Sequence, residues 1–97
     1  MFARTVTALT QPGRLDEAIR IYRDSVAPAV RQQKGCRGIF FLADRNTGKF
    51  ISPALWDTEA DITAGEASSY LREQIAKGAS TLAGPPITEH FEVSIQA

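Results

Sequence analysis

One cysteine, one histidine and one tryptophan occur among the 97 residues, and each scarcity removes a class of function. Cys36 alone forms no intrachain disulfide, and Cys36 with His90 falls short of the ligands that a zinc site takes, so no protein-held metal is expected. Neither sign of charge is in excess: Lys and Arg number 11, Asp and Glu also 11, and they are interspersed rather than blocked. That balance predicts no nucleic acid and no anionic membrane as partner. Long hydrophobic runs are missing too. The longest, Ile39 to Ala43, is far short of the ~20 residues that span a bilayer. Near the N-terminus, Arg4 with Thr5, Thr7 and Thr10 stands where a secretory leader needs an apolar stretch, so a cytoplasmic protein is expected. No Gly-x-Gly-x-x-Gly or Walker pattern marks a nucleotide site, and no cofactor is expected.

What is present fits one domain, residues 1–97, with one modest core. Phe2 to Leu9 alternates and is rich in Thr and Val, which predicts a strand that Gln11-Pro12-Gly13 ends. Leu15, Ala18, Ile19, Tyr22 and Val26 recur at helical spacing, with Asp16, Arg20 and Asp24 four apart on another face. Pro28 removes the hydrogen bond to the Asp24 carbonyl and predicts a kink or break, and the helix should end by Gly35. Cys36 to Ala43 reads as a strand apolar on both faces, joined through the turn residues Asp44 to Gly48 to a strand from Lys49. On that strand Phe50, Ser52, Ala54 and Trp56 share one side, and the chain then passes straight into a helix. Thr58 caps this helix, Thr58 to Ala64, and Asp61 is placed to reach back in a capping box. Ser68 or Ser69 caps a further helix carrying Leu71, Ile75, Ala79 and Leu82, which Gly84-Pro85-Pro86 stops. The last strand sets Ile87, Phe91, Val93 and Ile95 against Thr88, His90, Glu92 and Ser94, with Glu89 the exception on the apolar side.

The order strand, helix, strand, strand, helix, strand predicts an α+β, ferredoxin-like split βαβ fold: a four-stranded antiparallel sheet with both helices on one face. The doubly apolar second strand would leave the other face exposing more hydrophobic surface than a soluble monomer tolerates. A second sheet should cover it, making a homodimer that closes as a dimeric α/β barrel.

Pro12-Gly13 before the first helix, Pro28 inside it, Gly35-Cys36 opening strand two and Ala54-Leu55-Trp56 closing strand three carry a resemblance over essentially the whole chain. The sequence resembles the antibiotic biosynthesis monooxygenase family of dimeric α/β barrels. Leu71-Arg72-Glu73 and Leu82-Ala83-Gly84-Pro85-Pro86 are similar to the small cofactor-independent monooxygenases that oxidise aromatic polyketides. The resemblance implies a pocket with Trp56 and Arg72 as its catalytic residues. Ser52 stands where those relatives carry Asn and Ile62 where they carry Tyr, with Tyr70 beside Arg72 a weak substitute because adjacent helical residues diverge. Haem-degrading relatives need an Asn where Val6 stands and a Trp and a His after strand three, and residues 57–86 hold neither, so no haem degradation is expected.

The resemblance implies a cofactor-independent monooxygenase that oxidises a small aromatic hydroquinone or phenol with O₂. The electrons come from the ionised substrate itself, Trp56 stacks on it, Ser52 orients an oxygen and Arg72 stabilises the anion. The alternative is a non-catalytic, small-ligand-binding or stress-associated dimer, and a cofactor-free isomerase is a third reading. Each residue also has a plainer role. Trp56 fills the core, Arg72 joins Glu73 and Lys77 on a solvated face, His90 is exposed or at the dimer interface, and Cys36 is a small buried side chain.

Overall fold

The computed structural model describes all 97 residues. Alternation carries the N-terminal segment into β1 (Phe2–Leu9), with Arg4, Val6 and Ala8 toward the helices and Thr5, Thr7 and Leu9 away from them. The first helix comprises α1 (Leu15–Ile21) and α2 (Ala27–Arg31), joined without a break by a wide turn over Tyr22–Val26. Of the kink or break expected at Pro28, the break does not occur. The helix widens before the proline, the Ala27 N–H reaching five residues back to the Tyr22 carbonyl. Pro28 then falls in the opening turn of α2, where its missing N–H and fixed φ are tolerated. Asp16 and Asp24 pair with Arg45 and Arg23 rather than with Arg20.

Gly35 has φ +83° in the turn between α2 and β2, and a Cβ there would run into the Asp61 carboxylate, so only glycine fits. Asp61 explains the neighbour. Its N–H donates to Thr58 Oγ1 at 3.1 Å, the expected cap, but its carboxylate lies against Gly35 instead of completing the reciprocal bond.

The expected single strand from Cys36 to Ala43 is two, β2 (Cys36–Ile39) and β3 (Leu42–Asp44), both paired with β4 (Lys49–Trp56). The reason lies across the ladder. Ile39 faces Ala54 and Leu42 faces Ile51, which sets Phe40 opposite Pro53. Phe40 N–H donates to the Pro53 carbonyl at 2.9 Å, but proline has no N–H to return. The Ser52 hydroxyl donates to the Phe40 carbonyl in its place, at 2.7 Å. At the other end of β3 the hairpin turns through Gly48 at φ +78°.

After the corner at Trp56 come α3 (Glu59–Glu66) and α4 (Ser69–Ala76), the latter capped by Ser68, whose Oγ accepts from Leu71 N–H at 3.2 Å. Ala79 and Leu82 do not continue α4 as their spacing predicted. The chain leaves the helix at Lys77-Gly78 and makes one tight turn, Ala79–Thr81, before β5 (Ile87–Glu92). Val93 and Ile95 lie beyond the strand.

The antiparallel sheet runs β2-β4-β1-β5, with β3 prolonging β2 along β4. This is the ferredoxin-like arrangement, in five strands rather than four because of the interruption at Phe40 and Phe41. Val26, Ala29 and Val30 from the first helix, Ala54 and Trp56 from β4, Ile62 from α3 and Leu71 from α4 form the core between sheet and helices. The far face carries exposed Leu9, Phe40, Leu42, Ile51, Ile87 and Phe91. No helix is long and apolar enough to cross a membrane.

Candidate functional site

A cavity of about 470 Å³ opens between the helices and the sheet, within the range of small-molecule sites. Val6 and Phe50 contribute from the sheet, Ala18, Ile21 and Val26 from the first helix, and Leu71 and Ile75 from α4, so most of the wall is apolar. One side is aromatic. The Tyr22 ring meets Phe41 edge-on at 5.0 Å between centroids, and Phe41 stacks on Phe50 at 4.4 Å.

Tyr22 stands at the start of the wide turn, which aims its hydroxyl at Ser52 on β4. Ser52 is 1% exposed and its single proton is committed to the Phe40 carbonyl. In the Tyr22–Ser52 hydrogen bond the tyrosine is therefore the donor. Burial pushes the Tyr22 phenol above its ordinary pKa, against the opposing effects of the Ser52 hydrogen bond and the Arg4 charge. Tyr22 is a neutral phenol at physiological pH.

Polar groups gather at the β5 side. Arg4 Nε and His90 Nε2 lie 2.8 and 2.9 Å from the same Glu66 oxygen, and Arg4 and His90 are cross-strand partners on β1 and β5. Arg4, Glu66 and Thr88 border the cavity. Burial acts to raise the Glu66 pKa, but the hydrogen bonds from His90 and Arg4 outweigh it and hold the carboxyl below its ordinary value. A depressed folded-state pKa contributes stability that is present above the unfolded value, about 4.3, and lost as pH falls through the folded one. Melting temperature should therefore fall more steeply below about pH 4.5 in the parent than in Glu66→Gln; parallel curves would show that the cluster adds nothing to stability.

Arg72 also borders the cavity, from α4, and makes no ion pair within the chain. No group of three or more His, Cys, Asp or Glu side chains gathers where it could hold a metal ion.

The family model for antibiotic biosynthesis monooxygenases matches residues 1–77, a span that contains both long cavity walls from β1 to the end of α4. The chain belongs to the antibiotic biosynthesis monooxygenase family. Among relatives of this monooxygenase-family chain, the uncharacterized protein Rv2557 of Mycobacterium tuberculosis is 32% identical over 98 residues, covering 97% of this chain. The chain spans 41% of the length of that relative. A crystal structure of an antibiotic biosynthesis monooxygenase superposes with TM-score 0.80 at 14% identity, covering 98% of this chain and all of the other. Rv0793 from Mycobacterium tuberculosis does so with TM-score 0.79 at 16% identity, covering 99% and 97%. At such identities these structures share the fold.

Of the family-motif residues picked out in the sequence, Arg72 lies on the cavity wall. Trp56 is 2% exposed in the core, with its indole N–H unpartnered, and is screened from the cavity by Gly65, which does line it. A Cβ on Gly65 would lie 3.0 Å from the indole ring. Ser52 sits beneath Tyr22, Ile62 is fully buried against the core, and Tyr70 is 52% exposed and away from the cavity. Sequence reasoning passed over Tyr22, Arg4 and Glu66. Tyr22 read as one more member of an apolar stripe, whereas Arg4 carried a signal: strand alternation puts it on the inward side with Phe2 and Val6.

Proposed function

We propose that this family member oxidises a small, electron-rich aromatic hydroquinone or phenol with O₂, without a cofactor. The observation that carries the reading is an apolar, aromatic-walled cavity lined in part by Arg72, whose guanidinium pairs with no carboxylate of the chain. A guanidinium beside an apolar cavity favours an ionised hydroxyl, and an ionised electron-rich ring gives an electron to O₂ directly. Where the ring carbon para to the oxygen carries hydrogen, superoxide joins it and the resulting peroxide loses water; a 1,4-hydroquinone instead gives its quinone and H₂O₂. For a phenol with a free para position the balance is one O₂ consumed. One oxygen atom becomes the new quinone carbonyl, and the other leaves as water with the hydrogens of the O–H and the para C–H. Apolar enclosure limits escape of superoxide, and the aromatic wall of Tyr22, Phe41 and Phe50 holds the ring.

The test is oxygen uptake with a panel of mono- and dihydroxynaphthalenes that includes 1,5-dihydroxynaphthalene, with ¹⁸O₂ to follow the label. The expected result is one labelled oxygen per quinone at a rate well above that without protein. Binding of these aromatics with no uptake from any of them would replace the oxygenase reading by that of a non-catalytic binding protein.

The same proposal includes a homodimer closed through the far face of the sheet, where Leu42 and Ile51 are cross-strand neighbours and remain exposed. Sedimentation equilibrium should give a dimer at micromolar concentration, and Ile51→Lys, which places a charge in the middle of that face, should give a monomer. A monomeric parent would remove the assembly from the proposal.

A further inference from the structure

We infer that Tyr22 is a specificity-determining residue: it admits aromatics that donate a hydrogen bond to its hydroxyl oxygen, so the substrate is a dihydroxy aromatic rather than a monophenol. This rests on the reading of the cavity as an aromatic site. The reasoning begins at Pro53, which has no N–H for the Phe40 carbonyl across the ladder. Ser52 Oγ donates to that carbonyl instead, at 2.7 Å, and has no second proton. Tyr22 must then donate its own proton to Ser52. Each bond in the chain Tyr22 to Ser52 to Phe40 points the same way, and it ends on a carbonyl that accepts but does not take up a proton. The chain is not a proton relay. It leaves the Tyr22 oxygen with only lone pairs to offer, and Tyr22 and Arg4 both line the cavity.

An ionised hydroxyl placed against those lone pairs would be repelled, and a methoxy group would bring no donor. The ring therefore presents an O–H to Tyr22, and the hydroxyl that ionises is a different one, held toward Arg72. Two hydroxyls are required, one kept and one spent.

Binding tests the anchor without turnover. Under argon, fluorescence titration of the intact protein should give 1-naphthol about tenfold or more tighter binding than 1-methoxynaphthalene, the usual worth of a hydrogen bond in a dry site. In Tyr22→Phe the ratio should fall toward that of partition alone. In Ser52→Ala the tyrosine hydroxyl is released to turn and donate, and 1-methoxynaphthalene should gain. Circular dichroism melts establish that each variant is folded. In air, 1,5-dihydroxynaphthalene should be oxidised with at least tenfold higher kcat/KM than 5-methoxy-1-naphthol in the parent and with a much smaller advantage in Tyr22→Phe. Equal binding of 1-naphthol and 1-methoxynaphthalene by the parent, or an unchanged ratio in Tyr22→Phe, overturns the inference even if O₂ is consumed. An intact binding ratio with no O₂ uptake leaves the donor anchor standing and removes the oxygenase reading.

Discussion

Trp56→Ala is expected to destabilise the protein by about 3–5 kcal/mol, the range for emptying a large buried aromatic site. Trp56 is 2% exposed and packs with Val26, Ala29, Val30, Ile62 and Leu71, which come from three separate helical segments. The other buried members of the cluster are aliphatic and none fills the volume of an indole, so the vacated space stays largely open. At roughly 4–8 °C per kcal/mol for a domain of this size, the loss appears as a fall of tens of degrees in Tm. Trp56→Phe should cost much less. The indole N–H has no partner to lose, and only part of the ring volume is removed. Thermal unfolding of the two variants checks this, and a loss under 1 kcal/mol in Trp56→Ala would mean that the sheet and helices are held together elsewhere.

Arg72→Met should lower oxygen uptake with 1,5-dihydroxynaphthalene by about a hundredfold or more while leaving the fold intact. In the proposed reaction negative charge sits on the ionised hydroxyl and develops on reduced oxygen, and Arg72 is the cavity-bordering cation without a carboxylate partner. Methionine keeps most of the length and apolar stem and removes only the charge. The side chain is exposed and supports no core contact, so Tm should move little. His90→Ala is the companion variant. His90 bonds Glu66 and does not line the cavity, so its loss should reduce uptake far less than that of Arg72. Equal uptake by the parent and Arg72→Met would remove Arg72 from the site.

Local signals were legible wherever short-range physics sets them. Thr58 and Ser68 cap the helices that their positions announced, and Gly35 and Gly48 take the positive φ of the turns that lead into β2 and β4. Arg72 was reached through a motif and borders the cavity, whereas Trp56, reached in the same way, packs beneath Gly65. Both sit at positions where a side chain could turn to the core or to the cavity, and neither spacing nor composition chooses between them.

Alternation, helical periodicity and turn chemistry act over two to five residues, and that range suffices for the element order and hence the ferredoxin-like topology. The polarity of the Tyr22 hydroxyl was beyond it. That polarity depends on Pro53 facing Phe40 across a strand pair, on Ser52 supplying the missing donor, and on a widened helical turn bringing Tyr22 to Ser52, 30 residues away in sequence. Proline's missing N–H is written in the sequence, but which carbonyl goes without a partner, and which hydroxyl turns to meet it, is decided only when the strands are in register.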